Sequence, residues 1–403
     1  MARPLNIALV AGEASGDQLG GKLIEALRRR RPDVNCFGIG GHQMRAAGFD
    51  SWWDRDELSV MGLVEVLKHL PRLVRLRKAL TARLEAARPD VLVGIDAPDF
   101  NLGLEKKLKA TGVPTVHYVS PTVWAWRQGR AAKIGAAADL VLCLFPFEPK
   151  FYANHGVQAT YTGHPMADAI EDDPDPQGAR AALGLAAPDT AQAEAPPLIA
   201  LLPGSRGAEV SRLAGPMLDA ARQLAGRDGG AQFLAALADE RTAVLFREAL
   251  AARPGLACTV VVGRALEAMA AADVVLCASG TATLECMLVN RPMVVSYRLA
   301  ASTHWMMDRF RLMKSPYIAL PNILAGEALV PELIQDEARG DTLAAATEAW
   351  LGDPDRQAAL KARFSALHES LRLDAADRAA EAVLALIETR GDRIPTTAQP
   401  VQS

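Results

Sequence analysis

The sequence predicts an α/β protein of two domains, each built around a parallel β-sheet. The chain has 403 residues, which is more than a single hydrophobic core usually organises. Short runs rich in Val, Ile and Leu alternate along it with longer stretches of helical periodicity, which is the pattern of βαβ units. The clearest runs are 7–11, 91–95, 115–119, 140–144, 198–202, 259–262, 274–277 and 293–297.

These runs fall into two groups along the chain, which sets the predicted domain boundaries. Residues 1–170 form the N-terminal domain, and residues 198–390 form the C-terminal domain with its closing helices. Residues 171–197 are rich in Asp, Ala and Pro and are predicted to be a linker. Residues 391–403 are predicted to be a flexible tail. The closing helices could also pack back on the N-terminal domain.

Composition limits the classes of protein that fit. The net charge of −3 does not favour a globally basic nucleic-acid binder. The five cysteines are an odd set without C-x-x-C spacing, which predicts buried thiols in a reducing compartment and no zinc site. No stretch of about 18 uncharged apolar residues occurs, and the N-terminus lacks the pattern of a signal peptide. We therefore expect a cytoplasmic protein without a membrane span.

The residues that follow each apolar run are the candidate functional residues, because open parallel sheets bind ligands beyond the carboxyl ends of their strands. The first run leads into Glu13, Ser15 and Gly16, in a loop whose small residues let backbone approach a ligand. The same loop also fits a plain capped turn between a strand and a helix. The residues alone leave both interpretations open.

A carboxylate directly follows the apolar run 91–95. Asp96 lies at the end of this run and has no helix of its own to cap, so we predict it to be a general base. Asp99 lies three residues further on and fits a helix cap better.

Two loops of the second half carry phosphate-binding residue types. Ser205 and Arg206 follow run 198–202, where a guanidinium beside a glycine loop suits a phosphate or, alternatively, a salt bridge. Run 274–277 leads into a helix start whose hydroxyl and N–H groups favour an anion. The residues of this helix start are Ser279, Gly280, Thr281 and Thr283.

Two more side chains extend the predicted anion site. Glu285 lies about one turn inside the same helix, where a carboxylate could bind the two ribose hydroxyls or simply favour the helix dipole. Asn322 adds an amide on a later loop. Two D-x-D sequences, at 54–56 and 173–175, do not end apolar strands, so no metal site is predicted.

Residues 62–84 interleave apolar and basic side chains. The apolar positions are too many for one core-facing stripe, and the polar positions are almost all basic. The pattern fits an interfacial helix pair that breaks at Pro71, or an ordinary helix with a core stripe and a solvated face. On the first interpretation the membrane contacts are Val64, Val66, Leu67, Leu70, Leu73 and Val74.

Six ordered sequence blocks together resemble the lipid-A-disaccharide synthase family. The blocks are 11–17, 94–101, 118–127, 202–209, 278–285 and 320–326. The resemblance implies a GT-B fold, in which two Rossmann-like domains face a cleft. It also implies an enzyme that transfers 2,3-diacylglucosamine from UDP to 2,3-diacylglucosamine 1-phosphate with inversion, forming a β-1,6 disaccharide. No cofactor or metal is expected.

The resemblance also implies roles for the candidate residues. Asp96 would take the proton of the acceptor 6-hydroxyl, and Arg206 and the helix start would bind UDP. Glu13 would join Asp96 and Arg206 as a catalytic residue that positions the sugar or diphosphate. The remaining contacts to sugar, diphosphate or ribose would come from Ser15, Gly16, Ser205, Glu285 and Asn322. The N-terminal domain would bind the acceptor and an anionic membrane surface, at the cytoplasmic face of the inner membrane. A homodimer is possible, and no nucleic-acid partner is expected.

The sequence is also compatible with other functions. Another GT-B enzyme acting on UDP-N-acetylglucosamine, such as a peptidoglycan transferase or a 2-epimerase, would share the nucleotide site. A nucleotide-binding regulatory or scaffold protein at the membrane would need the anion site but no base, so Asp96 discriminates against it. A nicotinamide dehydrogenase is disfavoured because the loop after the first run lacks G-x-G-x-x-G.

Overall fold

The computed structural model describes residues 3–58, 63–121, 128–185, 196–227, 229–299 and 315–391, with 63–69, 128 and 391 described by their backbone only. The chain divides into two compact units. Unit 1 comprises Met1–Asp168 and Leu371–Ser403, and unit 2 comprises Ala169–Ser370. No described helix combines the length and the hydrophobicity that crossing a membrane requires.

Unit 1 is built on a seven-stranded, all-parallel sheet with the strand order β3-β2-β1-β4-β5-β6-β7. Its strands are β1 Asn6–Ala11, β2 Asn35–Gly40, β3 Asp50–Asp54, β4 Val91–Ile95, β5 Thr115–Tyr118, β6 Leu140–Cys143 and β7 Ala159–Tyr161. Its helices are α1 Ala14–Arg30, α2 His42–Ala46, α3 Leu63–Ala87, α4 Pro98–Ala110, α5 Ala131–Ala137, α6 Glu148–Ala153 and α7 Pro165–Ala169.

Unit 2 is built on a six-stranded, all-parallel sheet with the order β10-β9-β8-β11-β12-β13. Its strands are β8 Leu198–Leu202, β9 Gln232–Leu237, β10 Thr259–Val262, β11 Val274–Ala278, β12 Met293–Tyr297 and β13 Glu332–Ile334. Its helices are α8 Pro176–Ala182, α9 Gly207–Ala225, α10 Glu240–Ala251, α11 Ala265–Ala271, α12 Thr281–Leu288, α13 Leu320–Ala325, α14 Gly340–Leu351 and α15 Pro354–Leu371. The two parallel sheets confirm the predicted α/β class.

The last helix, α16 Ala375–Gly391, belongs to unit 1, although the sequence-based boundary placed these residues in the C-terminal domain. Asp168 fixes the return of the chain, because its carboxylate accepts hydrogen bonds from the N–H groups of Asp374 at 3.0 Å and Ala375 at 2.7 Å. Ala380 and Val383 then join the core cluster that contains the α1 side chains. This arrangement corresponds to the alternative in which closing helices pack back on the N-terminal domain, and unit 1 therefore includes the residues from Leu371 onward.

Part of the predicted linker is also folded. Asp175 caps helix α8 by accepting the N–H groups of Gln177 at 3.0 Å and Gly178 at 2.8 Å, and Pro176 occupies the first turn. Buried Arg291 donates to the carboxylate of Asp173 and to a neighbouring carbonyl, which anchors the start of this segment in unit 2. Residues 186–195 lie outside the described part of the chain.

Helix α3 is one continuous helix that contains Pro71, so the interpretation as a pair that breaks there is wrong, and the alternative of one helix with a core stripe describes its backbone. Leu76, Leu80 and Leu84 recur every four residues and are buried in the core of unit 1. Leu70 and Val74 lie on another face and are 48% and 47% exposed. Leu73 is half-buried, and the side chains of Val64, Val66 and Leu67 lie outside the described part.

The expected buried thiols are confirmed at four of the five cysteines. Cys36, Cys143, Cys277 and Cys286 are buried and free, whereas Cys258 is half-buried. Burial raises the pKa of the Cys36 and Cys258 thiols to about 12 each. These thiols are therefore protonated and unreactive at neutral pH.

Candidate active site

Each sheet has one topological switch point, where neighbouring strands send their connections to opposite sides. In unit 1 this point lies between β1 and β4, and in unit 2 it lies between β8 and β11. The candidate loops predicted from the sequence follow these four strands. The switch points therefore bring Asp96 beside the Glu13 loop in unit 1, and the Arg206 loop beside the Ser279 helix start in unit 2.

The two loops of unit 1 are in direct contact. Ala11 at the end of β1 is paired with Ile95 at the end of β4. A methyl group built on Gly12 would lie 3.0 Å from the Cβ atom of Ala97. A larger residue at position 12 would push the two loops apart, so the glycine allows their close approach.

Asp96 occupies a strained turn between β4 and α4. Asp96 and Ala97 both have left-handed backbone conformations, with φ of +52° and +43°. Residues other than glycine adopt this conformation at a cost of about 1–3 kcal/mol each, and such strain concentrates at functional positions. The Asp96 side chain is half-buried, and nothing in the described part of the chain donates a hydrogen bond to its carboxylate. No described residue therefore competes with a substrate for hydrogen bonds to this carboxylate.

Asn101 holds this turn, and the sequence-based prediction did not include it. Its Nδ2 atom donates to the carbonyl oxygens of Asp96 at 2.8 Å, Val10 at 3.2 Å and Ile95 at 3.3 Å. One buried amide therefore ties together the carboxyl ends of β1 and β4. The only sequence signal was its place in the block 94–101.

Glu13, Ser15 and Gly16 begin helix α1 beside Asp96. Glu13 is the N-cap residue, and its exposed side chain makes no capping hydrogen bond; Ser15 is also exposed. Gly16 is buried against Ile95. The carboxylate of Asp17 accepts hydrogen bonds from three N–H groups of the 41–44 turn, the shortest at 2.7 Å from Gly41. Glu13 and Ser15 therefore remain available for a ligand, whereas Asp17 is structural.

The carboxylate of Glu209 stabilises the loop after β8 through three hydrogen bonds. Glu209 accepts hydrogen bonds from the N–H groups of Ser205 at 3.1 Å and Arg206 at 3.2 Å, and from the Arg206 guanidinium at 3.0 Å. Gly204 has φ +119°, and a Cβ atom there would lie 2.6 Å from Glu209. The Arg206 side chain is 80% exposed, so its other donors can bind an anion.

Two hydroxyl groups of the loop after β11 make hydrogen bonds within the fold, whereas the residues at the start of α12 are exposed. The buried Thr283 donates to the Gly280 carbonyl at 2.8 Å and accepts the Leu320 N–H at 3.1 Å. Ser279 donates to the Ile318 carbonyl at 3.1 Å. These two hydroxyls stabilise the loop. Gly280 and Thr281 are exposed at the start of α12, where the first N–H groups of a helix have no intrahelical partner.

The two remaining predicted residues of unit 2 have different environments. Glu285 is half-buried, and burial raises the pKa of its carboxyl. Asn322 is buried, and its amide donates to Glu332 and to the Val330 carbonyl, each at 2.9 Å, while its oxygen accepts two N–H groups. All of its usual hydrogen-bonding positions are occupied within the loop. We therefore assign Asn322 to the scaffold instead of to direct ligand contact.

Comparison with known proteins decides the family. The sequence model of the family described as lipid-A-disaccharide synthetase matches residues 7–386. The chain belongs to this family. It is 52% identical to the lipid-A-disaccharide synthase of Xanthomonas campestris pv. campestris (strain 8004) over 390 residues, covering 96% of this chain and 87% of that protein. It is 51% identical to the enzyme of Pseudomonas aeruginosa (strain UCBPP-PA14), covering 97% and 100% of the two chains.

Solved structures resemble this family member in fold. A UDP-GlcNAc 2-epimerase from Neisseria meningitidis, bound to UDP-GlcNAc, superimposes with a TM-score of 0.62 at 11% identity, covering 94% of this chain and 100% of that chain. The calicheamicin glycosyltransferase CalG4 gives 0.55 at 16% identity, covering 98% and 100%. These matches confirm the predicted GT-B fold. The family match confirms a lipid-A-disaccharide synthase, which is a glycosyltransferase.

Proposed function

We propose that this chain condenses UDP-2,3-diacylglucosamine with 2,3-diacylglucosamine 1-phosphate, giving the β-1,6-linked disaccharide 1-phosphate and UDP. The observation that carries the proposal is the family match over residues 7–386. The site agrees with it, because both switch points present exposed or half-buried polar groups. The reaction inverts the anomeric centre, so it needs one base and a stabilised leaving group but no covalent intermediate on the enzyme.

Asp96 is the proposed base. The oxygen of the acceptor 6-hydroxyl forms a bond to the anomeric carbon of the donor, and the hydroxyl proton passes to the Asp96 carboxylate. The bond between that carbon and the β-phosphate oxygen breaks, and its electron pair leaves with UDP. Glu13 and Ser15, exposed on the adjoining loop, would orient the sugar, and buried Gly16 keeps that loop close to β4.

Unit 2 is the proposed UDP site. Charge that develops on the diphosphate would be stabilised by the Arg206 guanidinium, the Ser205 hydroxyl and the N–H groups of Gly280 and Thr281. Glu285 would accept hydrogen bonds from the ribose hydroxyls. Ser279 and Thr283 would contribute indirectly, because their hydroxyl groups make hydrogen bonds that stabilise the loop carrying Gly280 and Thr281.

A UDP-release assay with purified protein tests the reaction. We expect UDP to form from the acylated donor only when the acceptor is present, at the same rate with and without a chelator. Mass spectrometry should then show the disaccharide 1-phosphate. Donor turnover without acceptor, or equal use of unacylated UDP-N-acetylglucosamine, would instead indicate an epimerase or another transferase.

We also propose that helix α3 contacts an anionic membrane surface. Leu70, Val74 and Lys78 are exposed and spaced four residues apart, so they share one helix face. Both substrates carry acyl chains, and an apolar face with a basic residue suits the boundary between headgroups and acyl chains. Peripheral attachment to the cytoplasmic face of the inner membrane and a homodimer stay predictions from the family resemblance.

The membrane contact can be measured by co-sedimentation with vesicles. Leu70→Gln with Val74→Gln should lower binding to phosphatidylglycerol-containing vesicles by about tenfold, since each change removes an apolar group from the interface. The matched control is Val244→Gln with Leu266→Gln, because these two residues of unit 2 are similarly exposed, at 49% and 39%. Equal binding by both double variants would show that α3 is not the membrane contact.

A further inference from the structure

A buried polar cluster lies directly behind the strained turn at Asp96. Its members are Asn101 and Glu105 on α4 and His117 on β5, and we refer to them as the Asn101 cluster. All three side chains are fully buried, at 0% exposure. Nearby positions of α4 are Leu104 and Leu108, which belong to the apolar core. A polar group in such a layer is costly unless it makes specific hydrogen bonds.

Asn101 connects the cluster to the turn at Asp96. The shortest hydrogen bond of the Asn101 side chain, at 2.8 Å, runs from Nδ2 to the carbonyl oxygen of Asp96. The other two bonds go to Val10 and Ile95, so the amide fixes the turn relative to both strands of the switch point. Asp96 and Ala97 both have left-handed backbone conformations, which cost more free energy than the α or β conformations open to these residues. Hydrogen bonds from Asn101 can hold the turn against that cost.

The other half of the cluster is a pair formed by Glu105 and His117. The Oε1 atom of Glu105 lies 2.7 Å from Nδ1 of His117. In the sheet, His117 is paired with Gly94, two residues before Asp96. A Cβ atom on Gly94 would lie 2.1 Å from Oε1 of Glu105 and 2.9 Å from Cβ of Asn101. Only glycine at position 94 therefore leaves room for the pair and the amide side by side.

The cluster is not optimised for stability. Three of its buried atoms, Oδ1 of Asn101, Oε2 of Glu105 and Nε2 of His117, have no hydrogen-bond partner in the described part of the chain. Apolar residues of similar volume would avoid this desolvation cost, so buried polar groups of this kind can serve to specify one conformation. The conformation that this cluster contacts is the Asp96 turn.

We propose that the Asn101 cluster positions the Asp96 carboxylate for proton transfer. Asn101 holds the Asp96 carbonyl in the left-handed turn, and the Glu105–His117 pair fixes the place of Asn101 against Gly94. These are positioning residues, because none of them is exposed to a substrate. The inference rests on the proposed function, in which Asp96 is the base.

Steady-state kinetics of Asn101→Ala test the inference. We expect kcat to fall about 100-fold, since small misplacements of a reacting group have effects of this size. The KM for the donor and the Kd for UDP should stay within about twofold, because unit 2 is unchanged. Leu108→Ala is the matched control: it destabilises the same helix but removes no contact to the turn, so its kcat should stay within about threefold.

A pair of variants at Glu105 separates positioning from folding and serves if Asn101→Ala does not fold. Glu105→Gln keeps an acceptor for His117 and should retain kcat within about fivefold, whereas Glu105→Ala should lose at least about 30-fold. Equal kcat for these two, or for Asn101→Ala and Leu108→Ala, would overturn the positioning role. An active Asp96→Asn enzyme would instead overturn the proposed base, so the two failures can be told apart.

Discussion

Replacing Asp96 by Asn is expected to lower kcat by about 1000-fold, while the Kd for UDP stays within about twofold. General bases contribute about 100- to 10,000-fold, and asparagine cannot accept the hydroxyl proton. The fold should be unaffected, because the Asp96 carboxylate accepts no hydrogen bond within the described part of the chain. UDP release under saturating substrates measures kcat, and calorimetric titration measures UDP affinity.

Asp99→Asn is the matched control for this experiment. Asp99 is exposed in the first turn of α4, three residues from Asp96, and carries the same charge change. Its substitution should leave kcat within about threefold, because it only removes a charge that favours the helix dipole. If Asp99→Asn lost as much activity as Asp96→Asn, the two carboxylates would share the role. Near wild-type turnover by Asp96→Asn would remove the base assignment.

Replacing Arg206 by Ala is expected to lower kcat by about 100-fold and to weaken UDP binding. The guanidinium has exposed donors, and groups that stabilise charge developing in a transition state contribute about 100- to 1000-fold. Arg206→Lys should recover only part of the loss, since an ammonium keeps the charge but lacks the planar pair of donors. Kinetics and UDP titration on the same preparations separate the two effects.

The control for Arg206 lies on α9, the helix for which Arg206 is the N-cap residue. Arg222 is exposed near the end of α9 and should tolerate Ala with less than about a twofold change in kcat. Unchanged UDP affinity and unchanged turnover in Arg206→Ala would show that the guanidinium only pairs with Glu209. That result would leave the start of α12 as the proposed diphosphate contact.

The central strands could be predicted because parallel strands are buried on both faces and read as continuous apolar runs. The edge strands β3, β7 and β13 were not predicted, because their residues are mostly half-buried and do not form a continuous apolar run. The inner strand β9 was missed because the alanines of its sequence, QFLAAL, also suit a helix. Helix α8 had a readable signal, an aspartate cap followed by proline.

The site was predictable where function follows strand ends, and unpredictable where it depends on tertiary contacts. Asp96 follows its apolar run directly, and Arg206 lies in the short loop that follows run 198–202. The role of Asn101 depends on a carbonyl of Val10 that is 91 positions away in sequence. Asn322 was predicted to contact the ligand, but in the folded loop its side-chain amide makes hydrogen bonds to other loop residues. The sequence does not indicate these hydrogen bonds.

The return of α16 to unit 1 has a consequence for synthesis of the protein. Ala379, Ala380, Val383 and Leu386 cover core residues of α1 that were made more than 300 positions earlier. A nascent chain that has completed β7 still exposes this apolar surface, and it must do so while all of unit 2 is translated. Unit 2 is continuous in sequence and can fold as it emerges. We therefore expect the domain made first to be the one that finishes folding last.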